Sequence, residues 1–148
     1  MIARAISASL FAGSLLVTGQ ALAASGEELF NTACSACHAA GGVGTPGLAP
    51  PLDRPEFWKE LGDKAPDYIA GVVTKGLNAQ IKVNGESYAG MMMPPVAGQS
   101  DDDLAAITTW VLQTLGKTDK TVTPEDIKTA RESNLTNDDL KAMRPKTE

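Results

Sequence analysis

Residues 34–38 read Cys34-Ser35-Ala36-Cys37-His38, and these five positions hold both cysteines and the only histidine of a 148-residue chain. C-x-x-C-H is the spacing of a c-type haem attachment site, in which each thiol forms a thioether to a haem vinyl group and the adjoining histidine supplies the proximal iron ligand. The spacing has a physical basis. The cysteines span one porphyrin edge, and the next residue is delivered over the iron on the same turn. Three other readings of the pentapeptide are weaker. A redox disulfide of the thioredoxin kind follows a strand in a βαβ unit, and no such unit precedes Cys34. Zinc needs a fourth ligand, and the chain has no further Cys or His. A structural disulfide leaves His38 without a reason.

Immediately upstream, Ser25-Gly26-Glu27-Glu28 has the form of a capping box, and Leu29, Phe30 and Ala33 make an apolar stripe. A short helix is therefore expected to run into Cys34. Further upstream, one positive charge at Arg4, an apolar or small run over residues 5–17 and Ala21-Leu22-Ala23 predict a signal peptide over residues 1–23, cleaved after Ala23. The run is interrupted by Ser7, Ser9, Gly13 and Ser14 and falls short of the ~18 to 20 residues of a membrane span. The expected location is the periplasm. The mature chain keeps 12 of the 13 basic groups and all 18 acids, a net charge of −6. That balance lacks the basic face that nucleic-acid binding requires, and no later segment has the length and apolarity to cross a bilayer.

Downstream of the pentapeptide, residues 41–51 contain four Gly and three Pro in eleven positions, a composition that predicts an extended loop ordered by its contacts. Pro55 and Pro66 each stand at a plausible first turn, with Gly62 and Gly76 where helix C-caps belong, so two short helices are expected over residues 55–61 and 66–75. Residues 81–88 alternate around Asn84-Gly85, a hairpin signal, and the hairpin is expected to be small and exposed. Ser100 followed by Asp101, Asp102 and Asp103 caps a helix carrying Leu104, Ile107, Val111 and Leu115 at helical spacing and ending at Gly116. After Gly116 the chain turns polar, with seven basic and seven acidic residues in 32. Thr123-Pro124-Glu125-Asp126 and Thr136-Asn137-Asp138-Asp139 predict two further short helices in an extension that either docks or frays. The division is thus a signal peptide (1–23), a haem domain (24–116) and a polar C-terminal extension (117–148).

Over residues 24–116 the chain resembles the monohaem class I c-type cytochromes. The likeness rests on the helix leading into Cys34-Ser35-Ala36-Cys37-His38, the Gly/Pro loop ending Ala49-Pro50-Pro51-Leu52, Met93-Pro94-Pro95, and the last helix with Trp110. The resemblance implies an all-α, cytochrome c-like fold of short helices around one covalently attached haem c, here with a small hairpin loop. It implies that the N- and C-terminal helices cross where Gly26, Phe30 and Trp110 meet. It also implies that a proline carbonyl orients His38, with Pro50 the matching position and Pro51 one residue away, and that Leu52 packs on the porphyrin. Seven aromatic residues, Phe11 among those removed, make a thin core, which a buried haem would help to fill.

With one histidine the second axial ligand is sought among the soft methionines. Met93 directly precedes Pro94, which holds its backbone extended, and the family pattern also favours the Met before Pro. Met91 and Met92 are packing residues that could substitute. Tyr88, Trp58 and Gln80 are weaker candidates for contact with the haem propionates. The expected metal ligands are thus His38 and Met93, and the cofactor-binding residues Cys34, Cys37, His38, Pro50, Leu52 and Met93.

Two protein ligands leave iron without an open position, so the expected task is one-electron transfer without catalysis, between an exported dehydrogenase and a terminal oxidase or reductase. An alternative is the obligate haem c subunit of an exported dehydrogenase of the molybdenum or quinoprotein kind. A sensor or peroxidase in which Met93 leaves the iron is a third reading.

Overall fold

The computed structural model describes residues 24–90 and 92–146; the signal-peptide reading of residues 1–23 and the role of Met91 lie outside the described residues. Helix α1, Gly26–Ala33, opens on the expected capping box: Ser25 Oγ accepts from the Glu28 amide at 3.2 Å, and the Glu28 carboxylate accepts from the Ser25 amide at 2.8 Å. A single turn, α2 (Ser35–His38), carries the pentapeptide. Helices α3 (Pro55–Leu61) and α4 (Ala65–Lys75) follow, each with a proline in its first turn. Strands β1 (Ile81–Val83) and β2 (Glu86–Tyr88) pair antiparallel, with Ile81 opposite Tyr88. Asn84 and Gly85 both have positive φ, as a two-residue turn matched to strand twist requires. The hairpin is less exposed than its sequence suggests, because Val83 and Tyr88 on one face are buried.

Helix α5, Asp101–Trp110, starts at the Ser100 cap and continues as a π-helical turn, Val111–Leu115, closed by the Gly116 amide bonding to the Val111 carbonyl. The sequence pattern gives no sign of this widened turn. Helices α6 (Pro124–Glu132) and α7 (Asn137–Met143) each open on a Thr/Asp capping box, Thr123 with Asp126 and Thr136 with Asp139. Among the described residues the chain is therefore helical with one small sheet, rather than purely all-α. Among the described residues no helix is long and apolar enough to cross a membrane.

The core forms where α1 crosses α5. A Cβ on Gly26 would run into the Ala106 carbonyl oxygen and lie 2.7 Å from Trp110 Cβ, so the backbones approach at this point only because the residue is glycine. One turn later the Phe30 and Trp110 rings meet with centroids 4.9 Å apart. Leu104, Ile107 and Leu112 are fully buried behind them.

The extension docks on this core. Ile127 of α6 and Leu140 of α7 are fully buried and belong to the same apolar cluster as Phe30, Ile69 and Leu104. Polar ties hold it as well: Lys75 Nζ donates to the carbonyls of Arg131 (2.9 Å) and Ser133 (2.7 Å), and the Asn78 amide donates to Asn137 Oδ1 at 2.6 Å. Burying each such apolar side chain contributes about 1.5–3 kcal/mol, more than the exposed ion pair Arg131–Asp101 can. Ile127→Ala and Leu140→Ala should each lower the unfolding free energy by about 2–5 kcal/mol in denaturant titrations. Changes below about 0.5 kcal/mol would mean that the extension frays in solution.

Candidate functional site

Helix α1 delivers its C-terminal end to Cys34, and the amides of Cys37 and His38 both bond to the Cys34 carbonyl, at 3.2 and 3.0 Å. This one turn brings Cys34, Cys37 and His38 to the same cavity. The chain then reverses, with the Gly44 amide bonding to the His38 carbonyl at 2.8 Å and the Leu52 amide to the Gly42 carbonyl at 2.7 Å. Thr45 and Ala49 exchange a pair of 2.9 Å bonds between these points. The Gly/Pro loop is ordered by these contacts, and their consequence is chemical: the Pro50 carbonyl oxygen stands 2.9 Å from His38 Nδ1.

A carbonyl oxygen only accepts, so Nδ1 carries the proton and Nε2 keeps its lone pair. No fully buried side-chain nitrogen of the described residues lacks a partner, so Nε2, which has none, opens on accessible space in the cavity that His38 lines. Burial pushes the imidazole pKa down, opposed by the bond to Pro50, so the neutral, ligating form is favoured. Burial, with a smaller contribution from Cys37, pushes the Cys34 thiol up to about 11. Redox-active C-x-x-C sites have the opposite character, a depressed thiol pKa. Among the described residues no group of three or more His, Cys, Asp or Glu side chains forms a metal cage of its own.

The second half of the site is built on the end of α4. Gly76 stops that helix at φ +78°, and a Cβ there would lie 2.5 Å from the Met93 carbonyl oxygen. The segment carrying Met93 can therefore lie directly along residues 76–77. Leu77 and Met93 exchange two backbone hydrogen bonds, at 2.9 and 3.0 Å, and the Val96 amide bonds to the Val73 carbonyl at 2.8 Å. Met93 is half-buried against the core, whereas Met92 is 62% exposed.

Between these halves lies a cavity of about 550 Å³, within the range of pockets that hold small molecules and cofactors. Cys34, Cys37, His38, Pro50, Leu52 and Met93 all line it. Tyr88 lines it too, and Trp58 does so while donating its indole N–H to the Leu52 carbonyl at 2.8 Å, which removes that donor from any ligand. Gln80 is exposed and does not line it. Sequence reasoning overlooked Arg54 and Arg144, which border the cavity from residues far apart in the chain. Asking where the few arginines of an acidic chain go would have been the only available signal. The donor set fits a haem: an imidazole nitrogen held in the ligating tautomer, a thioether sulfur, two thiols one turn apart, and mostly apolar walls.

The family described as cytochrome C oxidase, cbb3-type, subunit III, matches residues 21–111, more than half of the chain. The chain is similar to a cytochrome c-552 of Thermus thermophilus, with 32% identity over 139 residues, 89% of this chain and 92% of the relative. A second Thermus thermophilus cytochrome c-552 is 32% identical over 120 residues, 76% of this chain and 89% of that protein. Such a family implies haem c, the group that the donor set of the cavity fits, and the chain belongs to the cytochrome c family as a monohaem c-type cytochrome.

Proposed function

We propose that this cytochrome is an exported, periplasmic carrier in which Cys34 and Cys37 would hold one haem through thioethers and His38 and Met93 would ligate its iron. The observation that carries the reading is the meeting of a Pro50-oriented His38 and a backbone-clamped Met93 on one cavity. Haem supplies there the one-electron Fe(III)/Fe(II) couple. The chain's residues do the rest. Pro50 fixes the tautomer and orientation of His38 and raises its basicity as a ligand. The Leu77–Met93 bridge holds the Met93 backbone, so that a weak thioether ligand need not order its own loop. Leu52, Ile69 and Val72 keep the walls apolar, and methionine ligation with an apolar environment raises the reduction potential.

A carrier of this potential accepts electrons from an exported dehydrogenase and passes them to a terminal oxidase or reductase. The reading as a fixed subunit of a molybdenum or quinoprotein dehydrogenase has less support, because its docking element would be the extension, whose apolar side chains are packed on α4 and α5.

Met93→Ala should abolish the weak long-wavelength charge-transfer band of methionine-ligated ferric haem, lower the potential and let the reduced protein take up carbon monoxide at neutral pH. Met92→Ala should do none of these. Loss of the band in Met92→Ala alone would place the ligand one residue earlier.

Residues 39–52 and 87–100 hold 28 positions without one charged side chain, and among the described residues Val43 and Met92 are the exposed large hydrophobics of the surface. Both lie in these segments. Partner docking over them rests on apolar contact, with the net charge adding only weak steering. Stopped-flow electron transfer with the physiological partner should slow by less than about tenfold between low and physiological ionic strength. A steep fall would show charge-led docking instead.

A further inference from the structure

Four consecutive residues at the end of α4 are held from two directions. Gly76 and Leu77 meet the Met93 segment: a Cβ on Gly76 would lie 2.5 Å from the Met93 carbonyl oxygen, and Leu77 exchanges two backbone bonds with Met93. Lys75 and Asn78, the residues on either side of that pair, are bonded instead to the C-terminal extension. The Lys75 ammonium donates to the carbonyls of Arg131 (2.9 Å) and Ser133 (2.7 Å) at the C-terminal end of α6, where the helix dipole favours a cation. The Asn78 amide donates at 2.6 Å to Oδ1 of Asn137, the first residue of α7.

Packing fixes the same stretch of the extension. A Cβ on Gly71, one turn before Lys75, would lie 2.6 Å from Leu140 Cδ2 and 3.3 Å from Leu135 Cδ1, so the α6–α7 turn and the start of α7 sit directly on α4. Met93 can leave its place by two routes. Its segment can break both bonds to Leu77 while residues 75–78 stay put, or residues 76–77 can swing out together with it. The second route keeps the Leu77–Met93 bonds and would be the easier, but Lys75 and Asn78 anchor the moving piece at both ends. The cost of this local opening is therefore set in part by a turn more than 35 residues further along the chain.

We propose that the turn between α6 and α7 is a clamp on the segment that carries the second axial ligand: Lys75 and Asn137 are positioning residues that slow the release of Met93, acting through residues 76–77. This rests on the reading of Met93 as a ligand given above. It assigns to the polar extension a task separate from the stability that Ile127 contributes by its burial.

The test uses the mature, haem-loaded ferric protein and excess cyanide, which takes the iron position that the Met93 thioether vacates with no change of oxidation state, so that its uptake rate reads how often Met93 leaves. Lys75→Met and Asn137→Leu should each speed cyanide uptake about three- to tenfold, the size of effect that one or two exposed hydrogen bonds supply. Hydrogen exchange at the Leu77 and Met93 amides should quicken in parallel. Lys75→Arg, which keeps donors, and Asn137→Asp, which keeps an acceptor, should restore most of the wild-type rate. Lys120→Gln removes a tie of the extension to Asp63 that touches none of residues 75–78, and should leave uptake as in wild type. Unchanged uptake in both Lys75→Met and Asn137→Leu, or an equal acceleration in Lys120→Gln, would overturn the clamp while leaving the electron-carrier reading intact. A wild-type ferric protein without the methionine charge-transfer band would overturn the reading of Met93 and the clamp with it.

Discussion

The hydrogen bond from His38 Nδ1 to the Pro50 carbonyl, at 2.9 Å, joins the turn that carries the thiols to the loop that walls the cavity. A single such bond contributes about 0.5–1.5 kcal/mol, while ordering one residue's backbone costs about 1–2 kcal/mol. It cannot hold residues 39–52 alone. The loop stays in place because Gly44 and Leu52 return amide bonds to His38 and Gly42, Ala49 is buried, and Trp58 bonds the Leu52 carbonyl. Those contacts give the Pro50 oxygen one position, and that position decides which imidazole nitrogen is left for a metal. The chemistry of the site is thus set by the backbone of a loop rather than by a second charged side chain.

The opposite half of the site obeys the same logic with different parts. A helix that ends at Gly76 with a positive φ lets the segment carrying Met93 lie along Leu77, and two backbone bonds fix it. The extension reinforces that end of α4, since Lys75 and Asn78 are both bonded to residues of the α6–α7 region. A long polar tail therefore has structural work on either side of the cavity: it braces the helix end from which Met93 is held, and it brings Arg144 to the wall.

Much of this was legible because local chemistry announces it. Ser25, Ser100, Thr123 and Thr136 each cap the helix that follows, Pro and Gly bound α3 and α4, and Asn84-Gly85 makes the hairpin. The pentapeptide points to its cofactor class because the redox-disulfide, zinc and structural-disulfide readings each leave part of it unexplained. What was not legible depends on contacts between distant segments. The π-helical turn at Val111–Leu115 leaves no mark on the apolar spacing. The extension commits only isolated apolar side chains, such as Ile127 and Leu140, so its docking shows only once α4 and α5 are assembled. Arg54 and Arg144, 90 positions apart, meet over Phe57 in three dimensions alone. Trp58, by contrast, looked available to a ligand and is occupied by Leu52.

Carbon–sulfur bonds from Cys34 and Cys37 to the haem are what every other assignment at the cavity depends on. The direct measurement is intact-mass and peptide mass spectrometry of the mature protein, denatured and extracted with acidified organic solvent. The expected result is a chain one haem heavier than its sequence after residue 23, with the added mass on the peptide containing residues 34–38. Haem released into the organic phase, or a chain at its bare sequence mass, would contradict it.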